Sequence, residues 1–539
     1  MRKAFLIAAA LIAGCAPPAA QAQGGPPKLL VVISVDQLSS DLWDEYRPQF
    51  TGGFARLASG SVFRNGYQSH AATETCPGHS TILTGMRPAR TGIIANVWYD
   101  PKAPRQDKDI YCAEDETVPG SSSTKYTVSP RHLRAPTLGD LLKQRLPATR
   151  NVAVAGKDRS AVMMGGRSVD QRWYPSGARF VSDLTGVAVP VSVTRTNAYL
   201  TRALAAPRPP LDPTPYCRSK AQSFPIEGGG KPVGSGRFGR TAGDTSAFRA
   251  SPEYDGTVLA LAAGLIEEMR LGRGGAPDII SIGLAGSDYV GHTFGTGGQE
   301  MCLQLTSLDR DLGDFFALLD RWGIAYAVAL TADHGGLDIP ERLRAKGIAD
   351  AAWIDPELTP ARLNEQLSAR LRLPGPIIAS GGPGGDIFLD RSLSGADRAT
   401  ALERLLATYR AHPQVQSVFT KEEVARASMP SGPPNGWSLI GRVRASFDPE
   451  RSGDLYVVLK PHIQPIADTR TYVSTHGSPW DYDRRVPILF WRPGMTGTAS
   501  DEAIETVDIM PTLAALLRVP VGAVDGRCLS VPGVTCPAR

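Results

Sequence analysis

Three short apolar runs, each followed by an acidic residue, constrain this chain more than any other feature. Lys28 to Val35, KLLVVISV, leads into Asp36; Asp278 to Leu284, DIISIGL, leads into Asp288; Ala325 to Thr331, AYAVALT, leads into Asp333-His334. Continuous β-branched runs of this length read as strands buried on both faces, which is characteristic of a parallel sheet. Val486 to Trp491, VPILFW, is a fourth such run. Amphipathic patterns at Asp255 to Arg270, Met301 to Trp322 and Val507 to Leu517 lie among them. The alternation predicts an α/β fold with a mostly parallel central sheet flanked by helices. Ligands of such sheets bind at the carboxyl edge of the strands, and Asp36, Asp288 and Asp333 all fall there.

Two regions break the rhythm. Pro207 to Ala250 is rich in Pro, Gly, Arg and Ser and reads as a long irregular excursion. Ala351 to Pro461 reads as an inserted α+β subdomain, with helices at Pro360 to Leu371 and Ala396 to Ala411. Its strands are expected at Asp386 to Leu389, Val415 to Phe419 and Asp454 to Leu459. The domain reading is therefore one catalytic domain, 28–539, with insertions near 160–250 and 351–461. The opening MRKAFLIAAALIAGCAPPAAQAQ reads as a signal peptide over 1–22, with a small-x-small site at Ala20-Gln21-Ala22. A periplasmic or secreted protein is expected. Ile12-Ala13-Gly14-Cys15 resembles a lipoprotein processing box, so the alternative is an outer-membrane lipoprotein anchored at Cys15. No later run reads as a transmembrane helix. A net charge of +5 over 539 residues gives no argument for a nucleic-acid partner. A monomer is expected.

Seven cysteines are present. Setting Cys15 aside leaves Cys76, Cys112, Cys217, Cys302, Cys528 and Cys536, an even set that in an exported chain reads as disulfides. Cys528 and Cys536 close a short loop; Cys76–Cys112 and Cys217–Cys302 are the pairs taken among the alternatives.

Few of the eight histidines have a setting suited to a metal. Asp288 and His292, in GSDYVGHTFG, are four apart, which puts both side chains on one face of a helical turn. Asp333-His334, in TADHGG, can face one site only where the backbone leaves the strand, and the double glycine permits that turn. His476 lies in STHGSP. Each feature alone has an ordinary explanation, Asp36 for instance as a strand-ending cap. Their joint occurrence points to a mixed Asp/His metal centre of the kind that suits zinc.

These motifs resemble the alkaline phosphatase superfamily: VDQ after the first strand, TETCPGHSTILTG, GSDYVGHTFG, TADHGG, STHGS and the closing VPILFWRPG…TVDIMPTLAALL. The match is to its PafA-type bacterial branch. The resemblance implies an exported phosphate-monoester hydrolase with a covalent phosphothreonine intermediate and two Zn2+ per chain. It assigns Thr75 as the nucleophile. Asp36, Asp333 and His334 would hold the zinc that touches Thr75, and Asp288, His292 and His476 the other, which would activate the attacking water. Asn96, in GIIANVWYD, would bind a phosphoryl oxygen, and Lys157 and Arg159, in AGKDRSAV, form the Lys-x-Arg pair of this branch. The substrates implied are small-molecule phosphate monoesters. The alternative is a phosphodiesterase or nucleotide pyrophosphatase of the same superfamily. A sulfatase needs a modified Cys or Ser before x-Pro-x-Arg, and here Pro77 follows Cys76 directly.

Physical chemistry agrees with these roles. A threonine hydroxyl becomes a competent nucleophile when a bound metal lowers its pKa, and two ions ~4 Å apart stabilise both oxygens of an in-line displacement. Pro77 suits a helix start, where a phosphate is welcome. The Cys76 backbone N–H is expected to donate to the transferring oxygens. Lys157 and Arg159 are expected to point the same way from an extended segment, a pair of cations that favours a dianionic monoester. His79 is expected to be structural, and Thr73 has no role.

Overall fold

A computed structural model describes residues 25–373 and 375–537 of the chain. The expected signal peptide and Cys15 lie outside the described residues. The central sheet runs, in spatial order, Thr498–Ser500, Ser61–Tyr67, Arg485–Trp491, Tyr326–Thr331, Leu29–Val35, Asp278–Leu284, Asn151–Ala155, Gln171–Ser176 and Arg179–Val181, with Ile504–Glu505 beside Ser61–Tyr67. The strands from Tyr326–Thr331 to Gln171–Ser176 are parallel. Arg485–Trp491 is antiparallel to both of its neighbours. The three runs that precede Asp36, Asp288 and Asp333 are adjacent, with Leu29–Val35 in the middle. Every residue of these three strands is buried, so both faces carry apolar side chains and no alternation is visible.

Helices cover the two faces. Pro252–Glu268 and Gly298–Arg321 pack with Leu29, Val31 and Ile33 on one side, while Leu30 and Val32 meet Ile82, Leu83, Ile509 and Leu513 on the other. The expected helix over Val507 to Leu517 is split, a 3₁₀ turn at Thr506–Asp508 followed by Ile509–Leu516. The span near 160–250 does not lie wholly outside the core. Its helix Asp158–Gly165 and strands Gln171–Ser176 and Arg179–Val181 extend the central sheet. Only the stretch after Val191–Ala205 is irregular, and Cys217 there is bonded to Cys302 of Gly298–Arg321. Disulfides also join Cys76 to Cys112 and Cys528 to Cys536.

A second, antiparallel sheet is built from Ile378–Gly381, Gly385–Leu389, Leu455–Leu459 and Val415–Thr420, in that spatial order. Helices Pro360–Leu371 and Gly395–Ala411 bury Leu363, Leu367, Leu405 and Tyr409 against it. Among the described residues no helix is long and apolar enough to cross a membrane.

One buried carboxylate fixes how the first helices sit on the core. Asp309, in Gly298–Arg321, accepts the backbone N–H groups of Thr51, Gly52 and Phe54 at 2.8, 2.7 and 2.8 Å. These are donors at the start of helix Gly53–Ala58 that have no partner within that helix. Asp309→Ala leaves the buried Phe54 N–H unmet and the Thr51 and Gly52 N–H groups to solvent, and urea denaturation is expected to show a loss of about 1–3 kcal/mol.

Candidate active site and metal centre

The three central strands deliver their acids to one place. Asp36 lies in the turn after Leu29–Val35. Asp288 lies in helix Gly286–Phe294, which follows Asp278–Leu284. Asp333 and His334 follow Tyr326–Thr331 after the backbone has left the strand. All four are buried. Helix geometry brings His292 Nε2 to 3.3 Å from Asp288 Oδ1, and His476 Nε2 reaches the same oxygen at 3.4 Å. His334 Nε2 lies 3.2 Å from Asp333 Oδ2, and its ring stacks on His476 with centroids 3.5 Å apart. The expected ligands are brought together but cluster differently from the expected sets: Asp36, Asp333 and His79 form one group and Asp288, His334 and His476 the other, with His292 beside Asp288.

His79 has more than a packing role. Its Nε2 lies 3.3 Å from Asp36 Oδ1 and its Nδ1 3.3 Å from Asp333 Oδ2. Burial opposes the charged imidazole, but Asp36 and Asp333 outweigh it and push His79 up to about 10. The same pairings act in reverse on the acids. Burial opposes ionisation of Asp333 and Asp288, but His334 and His79 hold the first, and His292 and Lys157 the second, well below the usual carboxylate range. His476 moves the other way: burial and the neighbouring His334 push it down to about 3.

The imidazoles share one mode of attachment. Nδ1 of His79, His292, His334 and His476 lies 2.8, 2.7, 2.8 and 2.8 Å from the carbonyl oxygens of Thr75, Ser474, Gly335 and Thr73. Placing the proton on Nδ1 satisfies each carbonyl, and for His292, His334 and His476 it leaves the Nε2 lone pair free, the tautomer a metal requires; His79 is held protonated between Asp36 and Asp333. Thr73, without a role in the sequence, thereby orients His476, and its hydroxyl donates to Ser478 O at 2.8 Å. Several buried ligand atoms meet no hydrogen-bond donor or acceptor: both oxygens of Asp36, Asp288 Oδ1, Asp333 Oδ2, and Nε2 of His79 and His334. Buried polar atoms are rarely left so, and a set of carboxylate oxygens and imidazole nitrogens fits divalent zinc.

Thr75 opens helix Thr75–Thr84, as expected from Pro77. Lys157 Nζ and Arg159 Nη2 each lie 3.5 Å from its Oγ1. The segment that carries them is not extended throughout: Lys157 caps helix Asp158–Gly165 and Arg159 stands in its first turn. They converge because Asp158 between them is held by the hydroxyls of Tyr111 and Tyr126 at 2.7 and 2.8 Å. The Cys76–Cys112 disulfide ties that tyrosine segment to the residue after Thr75. Lys157 Nζ also contacts Asp288 Oδ2 at 2.6 Å and Asp36 Oδ2 at 3.1 Å. Burial opposes its charge, yet Asp288 and Asp36 raise it above the ordinary lysine value.

The Cys76 N–H does not face the transferring oxygens. It donates to Asn96 Oδ1 at 2.8 Å, and the Asn96 N–H donates to Glu74 Oε2 at 2.7 Å. Because a backbone N–H must meet the amide oxygen, the Asn96 NH2 is the group left to bind a ligand. Glu74 and Gln37 were not singled out in the sequence. Gln37 adopts φ +66° after Asp36, and its N–H donates to Asp333 Oδ1 at 3.1 Å. The glycines serve close approach. Neither Gly335 nor Gly336 has a positive φ, but a Cβ on Gly335 would lie 2.1 Å from Tyr482 O and one on Gly78 2.0 Å from Asp333 O.

A family model described as "Type I phosphodiesterase / nucleotide pyrophosphatase" matches residues 30–479. The chain belongs to this family, which lies within the alkaline phosphatase superfamily. It is 55% identical over 512 residues to "Alkaline phosphatase PhoK" of Sphingomonas sp, covering 94% of this chain and 91% of that one. It is 45% identical over 521 residues to "Alkaline phosphatase PhoD" of Zymomonas mobilis, covering 95% and 90%. The crystal structure of the wild-type alkaline phosphatase PafA superposes with a TM-score of 0.79 at 25% identity, covering 92% of this chain and 96% of that one. The α/β architecture with a mostly parallel central sheet is the PafA fold.

The contact between helix Thr75–Thr84 and the Asp333 turn has no slack. Gly78→Ala should displace Thr75 from the acids, and a shift near 1 Å is expected to lower kcat/KM by about a hundredfold in steady-state kinetics, with circular dichroism unchanged.

Proposed function

We propose that this chain is a zinc-dependent phosphate-monoester hydrolase that works through a covalent phosphothreonine at Thr75. The observation that carries the reading is the convergence of Lys157 and Arg159 on Thr75 Oγ1 beside three buried acids. The names of its PhoK and PhoD relatives support it. So does a solved PafA variant substituted at a threonine, an asparagine, a lysine and an arginine, whose threonine-to-asparagine and lysine-to-arginine spacings equal those of Thr75, Asn96, Lys157 and Arg159.

Two zinc ions would be held, one by Asp36, Asp333 and His334 next to Thr75, the other by Asp288, His292 and His476; this division takes His334 with Asp333, which its Nε2 approaches to 3.2 Å, and adds His292, whose Nε2 lies 3.3 Å from Asp288. His79 ties the first group together by bridging its two acids. When bound, the ions neutralise the carboxylates and lower the pKa of oxygen nucleophiles beside them.

The residues of the chain do the rest. Arg159 presents planar donors to the phosphoryl oxygens, and Lys157 adds a charge that stays fixed because it is held protonated. It is therefore an electrostatic partner of the phosphoryl group and not the base for Thr75. The Asn96 NH2 supplies a third donor, its orientation set by Cys76 and Glu74. Thr75 Oγ1, its proton released to solvent, forms the new bond to phosphorus as the ester oxygen departs opposite to it and takes up a proton from water. Water then transfers the phosphoryl group from Thr75, restoring the hydroxyl and releasing phosphate. Disulfides among the described residues accord with an exported protein, periplasmic or secreted.

The family description also covers phosphodiesterases. A diester is a monoanion with a second bulky substituent, so two cations at the phosphoryl oxygens discriminate against it. With 4-nitrophenyl phosphate and bis(4-nitrophenyl) phosphate as the pair, the zinc-loaded protein is expected to favour the monoester. A preference for the diester overturns the reading. Arg159→Ala is expected to lower monoester kcat/KM by about 10²–10³-fold and the diester rate by less. Chelation is expected to lower the melting temperature as well as the activity, with both restored by zinc, since ions that bind only the native state stabilise it.

A further inference from the structure

A cavity of about 480 Å³ lies beside the site, walled by the second sheet and by the segments that carry Glu74, Asn96 and His476. Asn96 and His476 line it, and the proposed function places the phosphoryl group and the departing oxygen beside them. The group that leaves with that oxygen therefore projects into this cavity.

The cavity wall is acidic. Glu74, Asp386 and Asp483 all line it, and Lys460, exposed at the rim, is the cationic side chain among its lining residues. Asp483 is 1% exposed; its Oδ2 accepts the N–H and O–H of Ser478 at 2.9 and 2.6 Å, and its Oδ1 meets no donor. Asp386 accepts the Gly453 N–H at 2.8 Å on Oδ1. Burial, only partly offset by these hydrogen bonds, pushes Asp386 and Asp483 up to about 7, so a cation bound beside them favours their ionised forms. Acids placed beside a site for a phosphate dianion oppose the binding of any ester that brings only negative charge. They assist binding when the leaving group carries a positive charge. Tyr456 and Trp480 complete the wall with aromatic faces, which also attract cations.

Resting on the proposed monoesterase reading, we propose that this cavity selects phosphate monoesters whose leaving group bears a small organic cation, an alkylammonium alcohol. The recognition is electrostatic: Glu74, Asp386 and Asp483 surround the ammonium, and the aromatic side chains cover its methyl or methylene groups.

The test compares choline phosphate with 3,3-dimethylbutyl phosphate, its uncharged carbon isostere, on the zinc-loaded full chain. A kcat/KM ratio of about tenfold or more in favour of choline phosphate is expected, the size of one desolvated cation contact. Asp386→Asn should pull the ratio toward one, and Lys460→Ala, which removes the competing cation at the rim, should raise it. Each ratio is taken within one protein, so a partly inactive preparation does not distort it. A wild-type ratio at or below one overturns the proposal, as does a ratio that both variants leave unchanged. A preference for glycerol phosphate over both esters overturns it in favour of a pocket that reads hydroxyls. Turnover of 4-nitrophenyl phosphate in the same preparation separates the outcomes: its loss sinks the monoesterase reading, while its presence with a ratio at or below one sinks the cation pocket alone.

Discussion

The organisation of this protein follows from three carboxylates that have been taken out of water together. Asp36, Asp288 and Asp333 lie beyond the ends of three adjacent parallel strands, each at most 1% exposed. Burying one unpaired carboxylate costs several kcal/mol, and three in a single site are tolerable only where positive charge meets them. The neighbouring residues answer that demand. Four imidazoles present Nε2 toward the acids, each fixed through Nδ1 to a backbone carbonyl, and Lys157 makes ion pairs with two of the acids. A donor set so aligned, with its inward atoms otherwise unpartnered, is an arrangement suited to metal ions, and the rest of the site is built outward from it.

Thr75 inherits its position from that centre. Its helix can approach the Asp333 turn because Gly78 has no side chain. Its carbonyl binds His79, whose ring lies between Asp36 and Asp333. Thr75, the proposed nucleophile, is therefore coupled to the acids through a short, stiff path. The disulfide at Cys76 extends this path to Tyr111, and through Asp158 to the helix that carries Arg159. Cys76, next to Thr75, thus has a mechanical role, and its N–H sets the orientation of Asn96.

Much of this was legible in the sequence, for identifiable reasons. A strand buried on both faces writes a continuous apolar run, so Leu29–Val35, Asp278–Leu284 and Tyr326–Thr331 could be placed almost to the residue. The Asp288–His292 pair was readable because a helical turn is a local rule. What stayed hidden depends on contacts between distant segments. His79 looked structural because nothing local says that helix Thr75–Thr84 packs its fifth residue between two strand ends. Lys157 and Arg159 approach Thr75 Oγ1, but not from the extended segment expected, because helix Asp158–Gly165 begins between them. Glu74 and Gln37 act through backbone N–H groups, contacts that leave no motif. The acidic cavity draws on Glu74, Asp386 and Asp483, residues far apart in the chain.

The account stands on the claim that the clustered acids hold metal ions. Metal analysis of the purified full chain by inductively coupled plasma mass spectrometry, alongside the Asp288→Asn variant, tests it most directly. Two zinc ions are expected in the native chain, with the variant losing the ion proposed for Asp288, His292 and His476 and retaining the other. A native chain that hydrolyses phosphate esters while holding no stoichiometric divalent metal would contradict the account.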